Sequence, residues 1–324
     1  MKVLLTGAGG QIGTALRRQQ PAAVELVNLW RCPPADANSD AGSDNTRNVI
    51  TDLTHFAELT ALLQQQRFDV IINAAAWTAV DAAEQQSQLA WQMNAELPAL
   101  LAAQARRQDA LLLHYSTDYV HDGSKNSAYV EADEPAPLNA YGNSKLAGDR
   151  AIIASGCRYL LLRTSWVYGG PSRNFLHTIA ARMSQGQPLR VVDDQIGCPT
   201  WSMDIARCTW QVLTADFVQH GFKSGLYHLA GLDGMSWYDF AREIHAVLVA
   251  ANVVPETTSL HACGSDTYPQ QAKRPPAVLL DSSAFKQRFG CVAAGRESIR
   301  QATLGWLQDA ECKQINVDSN YGQH

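Results

Sequence analysis

The chain opens Met1-Lys2-Val3-Leu4-Leu5-Thr6 and runs straight into Gly7-Ala8-Gly9-Gly10-Gln11-Ile12-Gly13. Residues 3–6 form a short apolar run that reads as a strand, and residues 14–20 read as the body of a helix. Between them glycines stand at 7, 10 and 13, a G-x-x-G-x-x-G spacing. Glycine permits a tight turn there and lets backbone approach a pyrophosphate. The helix that follows offers its unpaired amides and positive dipole end to that anion. A glycine pattern alone is a weak signal. Its place after the first strand and before a helix is what gives it weight.

The same alternation continues downstream. Apolar runs at 24–29, 69–73, 110–116 and 158–164 alternate with helical patterns at 55–66, 89–107 and 141–155. Short apolar strands interleaved with helices predict an α/β fold, a doubly wound parallel sheet of Rossmann type covered on both faces. The polar stretch 33–48 reads as an exposed loop. After Gly169 the pattern loosens, with a helix at 175–184, a strand starting at 191–192, a strand at 225–230 and a helix at 237–250. The expected organisation is a dinucleotide-binding domain over 1–165, with segments near 190–222 returning to it. A smaller C-terminal α/β substrate domain is expected over 166–314, and a frayed polar tail over 315–324.

Composition narrows the function classes. The 324 residues carry a formal net charge of −5 and no long like-charge block. That argues against a nucleic-acid or membrane-surface binder, and leaves a small anionic substrate open. The seven cysteines are scattered without a Cys-x-x-Cys pair, which reads as free thiols in a reducing compartment. The opening apolar run is too short for a signal peptide, and no stretch suits a membrane span. A cytoplasmic protein is expected. The nine histidines show no zinc-like spacing, so no catalytic metal is expected.

The second strand selects the cofactor. An acid at its end would bond a ribose 2′-hydroxyl, whereas an arginine nearby accepts a 2′-phosphate. The residues here are Leu29-Trp30-Arg31. Arg31 without an acid favours NADPH over NADH. Asp52-Leu53 has the position expected to flank the adenine. The small side chains of Asn73-Ala74-Ala75-Ala76 would let a cofactor lie close to the carboxyl edge of the sheet.

Tyr141 and Lys145, in Ala140-Tyr141-Gly142-Asn143-Ser144-Lys145, lie four apart and share one helix face. A phenol is ordinarily too weak an acid for neutral pH, and a neighbouring ammonium, helped by a bound cofactor, is expected to lower its pKa. His114-Tyr115-Ser116-Thr117-Asp118-Tyr119-Val120 precedes them at the end of the fourth strand. An open parallel sheet places its ligand groups at that edge. Thr117 is positioned to donate to a carbonyl oxygen. Asn94 is placed to bond backbone or to hold a water serving the lysine. Arg274, beside Pro275, is a candidate for a diphosphate, since a guanidinium suits bidentate phosphate contacts. Trp201 and Trp237 read mainly as core aromatics.

Together Gly7, Gly10, Gly13, Asn73-Ala74-Ala75, Asn94, Thr117, Tyr141 and Lys145 resemble the extended short-chain dehydrogenase/reductase family. Further stretches resemble its nucleotide-sugar reductases. These are Asn73-Ala74-Ala75-Ala76-Trp77-Thr78-Ala79-Val80-Asp81, Arg163-Thr164-Ser165-Trp166-Val167-Tyr168, Asp193-Asp194-Gln195-Ile196-Gly197-Cys198-Pro199-Thr200, Gly225-Leu226-Tyr227-His228-Leu229 and Lys273-Arg274-Pro275. The likeness spans roughly residues 1–310.

The resemblance implies NAD(P)H-dependent reduction of the C4 ketone of a dTDP-linked 6-deoxy-4-keto hexose. It implies Tyr141 as proton donor, Thr117 as its hydrogen-bonding aid, and Lys145 on the nicotinamide ribose. It places Gln11, Ile12, Ala75, Ala76, Thr78 and Tyr115 by the cofactor, and Thr117, Asp118 and Trp166 on the sugar. Mg²⁺ and a homodimer are implied only as features of some relatives.

Three positions depart from the pattern: His121 where Phe is common, Trp77 where His or Tyr precedes the threonine, and Trp30 where an acid often meets the ribose. The first two bear on sugar specificity and the third on the cofactor. An epimerase or another reductase of the same fold is the alternative enzyme. A 4,6-dehydratase would want Glu where Tyr119 stands. A non-catalytic regulatory subunit, such as the β subunit of methionine adenosyltransferase, also resembles these enzymes, but the intact Thr117, Tyr141 and Lys145 argue against it.

Overall fold

The computed structural model describes residues 1–32, 45–170, 174–215, 222–268 and 270–320, with 310–320 as backbone alone. The first half runs β1 (Lys2–Thr6), α1 (Gln11–Arg18), β2 (Glu25–Trp30), β3 (Thr46–Ile50), α2 (Phe56–Gln65), β4 (Val70–Asn73), α3 (Val80–Gln85), α4 (Ser87–Trp91), α5 (Leu97–Gln108), β5 (Leu111–Thr117), α6 (Ala140–Ala154) and β6 (Arg158–Thr164). These six strands and a seventh, Gly225–His228, form one sheet. Its spatial order is the seventh strand, β6, β5, β4, β1, β2, β3. Every pairing in it is parallel. The strand order reverses between β1 and β4, and an open α/β sheet binds its ligand at such a switch point.

Alternation along the strands sends side chains to both faces. Val3, Leu5, Ile72 and Leu113 pack on one side with Leu16 of α1 and Ile205, Ala206 and Trp210 of α8 (Ser202–Ala215). Leu4, Ile71 and Leu112 pack on the other with Leu59, Leu63, Leu101 and Ile152 of α2, α5 and α6. Trp210 Nε1 donates to the Leu16 carbonyl at 2.9 Å, which fixes α8 on α1. A separate core lies around Tyr168, Ile179, Phe240, Ile244 and Ile299. It gathers α7 (Phe175–Ser184), α9 (Trp237–Ala250) and α11 (Arg296–Asn320). A parallel strand pair, Leu189–Val192 with Leu260–Cys263, flanks it.

Three segments differ from the sequence reading. Residues 46–48, read as loop, begin β3, while 33–44 lie outside the described residues. As an edge strand β3 tolerates polar side chains. Asn48 Oδ1 accepts from Asn28 Nδ2 at 3.0 Å and Trp30 Nε1 at 2.9 Å. The helix read over 89–107 is divided by a π turn, Gln92–Glu96. Pro98 explains it: proline has no N–H for the Asn94 carbonyl, and its ring would strike that carbonyl in a regular helix. The tail read as frayed from 315 is carried in α11 as far as Asn320; 321–324 lie outside the described residues.

Candidate active site

The glycine segment forms a cradle in which side chains have no room. Gly7 has φ +69°, and a Cβ there would sit 2.5 Å from the Ala74 backbone. A Cβ on Gly13 would come within 2.1 Å of the Gly7 carbonyl. The Gly10 N–H closes the turn on the Gly7 carbonyl at 2.9 Å, and Gly10 caps α1. A cavity of about 630 Å³ opens there, lined by Gly7, Gly10, Trp30, Arg31, Asp52, Leu53, Ala75, Ala76 and Thr78. A bare backbone cradle at a helix N-terminus fits a pyrophosphate.

Asp52 is braced within its own turn. Two hydrogen bonds from Thr54 hold its Oδ1, at 2.9 and 2.8 Å, and keep its pKa below the ordinary value. Trp30 is buried, with Arg17 stacked 4.8 Å over its ring. At this edge the charged side chain lining the cavity beside Trp30 is Arg31, the feature that fits a 2′-phosphate.

A second cavity of about 610 Å³ continues from the first past Gly10 and Ala74–Ala76. Its walls include Gln11, Ile12, Thr78, Tyr115, Thr117, Asp118, Tyr141, Lys145, Trp166 and Trp237. Thr117 ends β5, and Asn139 caps α6 by accepting from the Gly142 N–H at 2.8 Å. That cap aims the first turns of α6 at the sheet edge, where Tyr141, Lys145 and Asp149 form a buried stripe one turn apart.

Burial dominates the electrostatics of Tyr141. Its phenol is pushed above the ordinary value, first by burial and then by Asp118, while a hydrogen bond with Thr117 opposes the shift. The Lys145 ammonium is directed elsewhere. Nζ donates to the Tyr115 carbonyl at 2.7 Å and lies 3.2 Å from His114 Nε2. Burial lowers the Lys145 pKa to about 8, and Asp149 opposes that shift. A phenol that keeps its proton at neutral pH is suited to donate it.

Asp118 is buried, and burial raises its pKa to about 6. Its carboxylate accepts from Ser165 Oγ at 2.7 Å and Thr117 Oγ1 at 3.0 Å. Trp166 has φ +42°, a strained value for a large side chain. Its ring stacks on Trp237 at 3.5 Å, 3° from parallel, above Gly197, where a Cβ would fall 2.2 Å from the indole.

Other expected residues are placed differently. The Asn94 amide does not face the reacting groups. It accepts from Trp77 N at 2.8 Å, and donates to Trp77 O and Ser144 Oγ, both at 3.0 Å. It therefore braces the loop after β4, the first of the two roles open to it. A Cβ on Gly148 would lie 2.1 Å from the Asn94 carbonyl, so α6 needs a glycine to seat against the π turn. Arg274, expected on a diphosphate, forks onto Asp81 with bonds of 3.1 and 2.7 Å. Asp81 also accepts from the backbone of Gln271 and Ala272, tying this segment to the first turn of α3.

Tyr115 turns its hydroxyl away to Thr209, 2.7 Å off. His121 stacks on Tyr129 at 4.2 Å, and burial lowers its pKa to about 4. It serves as a neutral flat ring in the place of a phenyl group. Trp237 lines the cavity as well as packing on the C-terminal core, whereas Trp201 packs on that core. His114, Ser165 and Gly197 were not singled out from sequence. Ser165 and Gly197 stand inside the matching stretches beside Trp166 and Cys198, and His114 beside Tyr115 at the end of the fourth strand, and only those places pointed to them.

The model of the RmlD substrate binding domain matches residues 1–304. The chain belongs to that family. A dTDP-4-dehydrorhamnose reductase of Burkholderia thailandensis is 37% identical over 302 residues, covering 90% of this chain and 93% of the relative. The Escherichia coli K12 protein of the same name is 34% identical, with the same coverages. Among solved structures, a dTDP-4-dehydrorhamnose reductase of Clostridium acetobutylicum superposes with a TM-score of 0.78 at 30% identity, covering 95% of this chain and all of that one. One from Bacillus anthracis in complex with NADP has a TM-score of 0.78 at 26% identity, covering 94% and 99%. Like its RmlD relatives, this chain is an oxidoreductase of Rossmann fold. Among the described residues no helix is long and apolar enough to cross a membrane.

Proposed function

We propose that this protein reduces the C4 ketone of dTDP-4-dehydro-6-deoxy-L-mannose to dTDP-L-rhamnose with NADPH, in the cytoplasm. The observation that carries the reading is a single cleft. It joins a glycine cradle and Arg31 at one end to Thr117, Tyr141, Lys145 and Trp166 at the other. Relatives at 34–37% identity bear the name of that reductase. We read residues 1–165, together with α8 and the strand Gly225–His228, as the NADP-binding part. The rest of 166–314 is then the sugar-binding part.

When bound, the nicotinamide supplies the hydride. Gly7, Gly10, Gln11, Ile12 and Gly13 would hold its pyrophosphate, Arg31 the 2′-phosphate, Asp52 and Leu53 the adenine side, and Ala75, Ala76, Thr78 and Tyr115 the nicotinamide side. Lys145 would steady the ribose. Tyr141 protonates the alkoxide that develops at C4, and Thr117 hydrogen-bonds the same oxygen. Asp118 and Trp166 face the sugar, with Trp237 behind Trp166. Arg274, paired with Asp81, anchors the segment 271–274 to α3.

The test is oxidation of NADPH and NADH in the presence of the dTDP-4-keto-6-deoxy sugar. Turnover with NADPH exceeding that with NADH is expected, and no turnover with either overturns the reading. Tyr141→Phe should lower kcat by about 10²–10⁴ while NADPH binding survives.

A further inference from the structure

A buried chain of hydrogen bonds runs across β1, β4 and β5 to Lys145. The Ala75 N–H donates to Thr6 Oγ1 at 3.3 Å, and Thr6 Oγ1 donates to Asn73 Oδ1 at 2.7 Å. Asn73 Nδ2 stands 3.0 Å from His114 Nδ1, and His114 Nε2 stands 3.2 Å from Lys145 Nζ. The last bond runs from Nζ to the Tyr115 carbonyl at 2.7 Å. Thr6, Asn73 and His114 are register partners across β1, β4 and β5. Each is almost wholly excluded from water, as is Lys145.

The chain has a direction. The Ala75 N–H can only donate, and a 2.7 Å contact between Thr6 and Asn73 is the length of an O–H···O bond. The threonine proton therefore points at Oδ1, and the Asn73 NH₂ faces His114. An amide nitrogen only donates, so Nδ1 must accept. Burial and the Lys145 charge hold the imidazole neutral. A neutral ring that accepts at Nδ1 carries its proton on Nε2, pointed at Lys145.

We propose that His114, oriented by Asn73 and Thr6, is a positioning residue that presents an N–H to Lys145 Nζ and so weakens the lysine's hold on its proton. An ammonium facing this N–H has two donors opposed, whereas the amine accepts from it and still donates to Tyr115. The other groups facing Lys145 are Tyr141 and Asp149 on α6, with Arg163 of β6 paired to Asp149 at 3.3 Å. Asp149 favours the ammonium and burial opposes it. The His114 N–H of β5, 3.2 Å from Nζ, opposes it as well.

This inference rests on the reductase reading, but its first test does not. Nitrogen NMR of histidine-labelled wild-type protein reads the ring tautomer without substrate or cofactor, and loss of one signal in His114→Gln assigns it. An Nε2-protonated ring that stays neutral from about pH 6 to about pH 9 is expected. An Nδ1-protonated ring, or one titrating near the ordinary histidine value, overturns the proposal. Asn73→Asp supplies the second test, because a carboxylate forces the proton onto Nδ1 and leaves Nε2 to accept from the ammonium. The Lys145 limb of the kcat–pH profile should rise by about one unit and kcat near neutrality fall about tenfold, with KM and NADPH affinity within about twofold. A folded Asn73→Asp whose profile overlays the wild type also overturns the proposal. If Asn73→Asp does not fold, the wild-type tautomer decides. A wild type inactive on the sugar would overturn the functional reading while leaving the tautomer measurable.

Discussion

The two ends of the cleft are made of different material. The cofactor end is backbone: the turn from Gly7 to Gly10 lies against the Ala74–Ala75 chain with no space for a Cβ. The sugar end is side chains brought from separate elements. Asp118 follows β5, Trp166 follows β6, and Trp237 begins α9. They are held to one another by hydrogen bonds and ring stacking. Backbone walls cannot move without moving the strand ends that carry them. Side-chain walls can yield by a rotamer, so the sugar end can be retuned without disturbing the sheet.

One substitution type, glycine to alanine, separates the two ends. Gly7→Ala places a Cβ against three backbone atoms of Ala74 and Ala75 and forces φ +69° on a residue with a side chain. The left-handed backbone costs about 1–2 kcal/mol and the overlap about 1–3 kcal/mol more. A lower melting temperature and a loss of NADPH affinity of about a hundredfold or more are expected from calorimetry and fluorescence titration. Gly197→Ala meets first the indole of Trp166, a side chain, at 2.2 Å. The ring can swing, so about 1–2 kcal/mol is lost, chiefly as a rise of roughly tenfold in KM for the sugar. NADPH affinity should hold. If both variants lower NADPH affinity alike, the contrast between the ends is wrong.

What could be read from sequence follows the same division. The parallel sheet and the cradle are local in the chain, because strand, glycines and helix follow one another within residues 2–18. Tyr141 and Lys145 were legible because helical spacing alone puts them on one face. The sugar wall is long-range: Gly197 lies far along the chain from Trp166, and no periodicity links them. The π turn was illegible as apolar pattern, though Pro98 is its cause. The surroundings of Tyr141 were illegible for a related reason. Spacing gives proximity to Lys145, but only the fold shows that Nζ is bonded to Tyr115 and that the phenol is buried.

The remaining effect is on stability, and it comes from the sugar wall alone. Burial raises Asp118 from 3.8 to about 6 although Ser165 and Thr117 donate to it. The folded state thus holds the proton more tightly than the unfolded chain. The stability tied to this proton is fully present below the unfolded value and is lost as pH rises through the folded one. A shift of that size corresponds to at most about 3 kcal/mol. Asp118→Asn cannot titrate, so the difference between wild type and variant should change between about pH 4 and about pH 6 and stay level above that window. Urea melts at either side of the window measure it. Since Asp118 is held by the same bonds that set the Trp166 wall, a flat difference would mean that the carboxylate is hydrated in the folded protein. The sugar end would then be an open rim, and the distinction drawn between a yielding wall and a rigid one would fall on solvent access, with rotamer freedom playing no part.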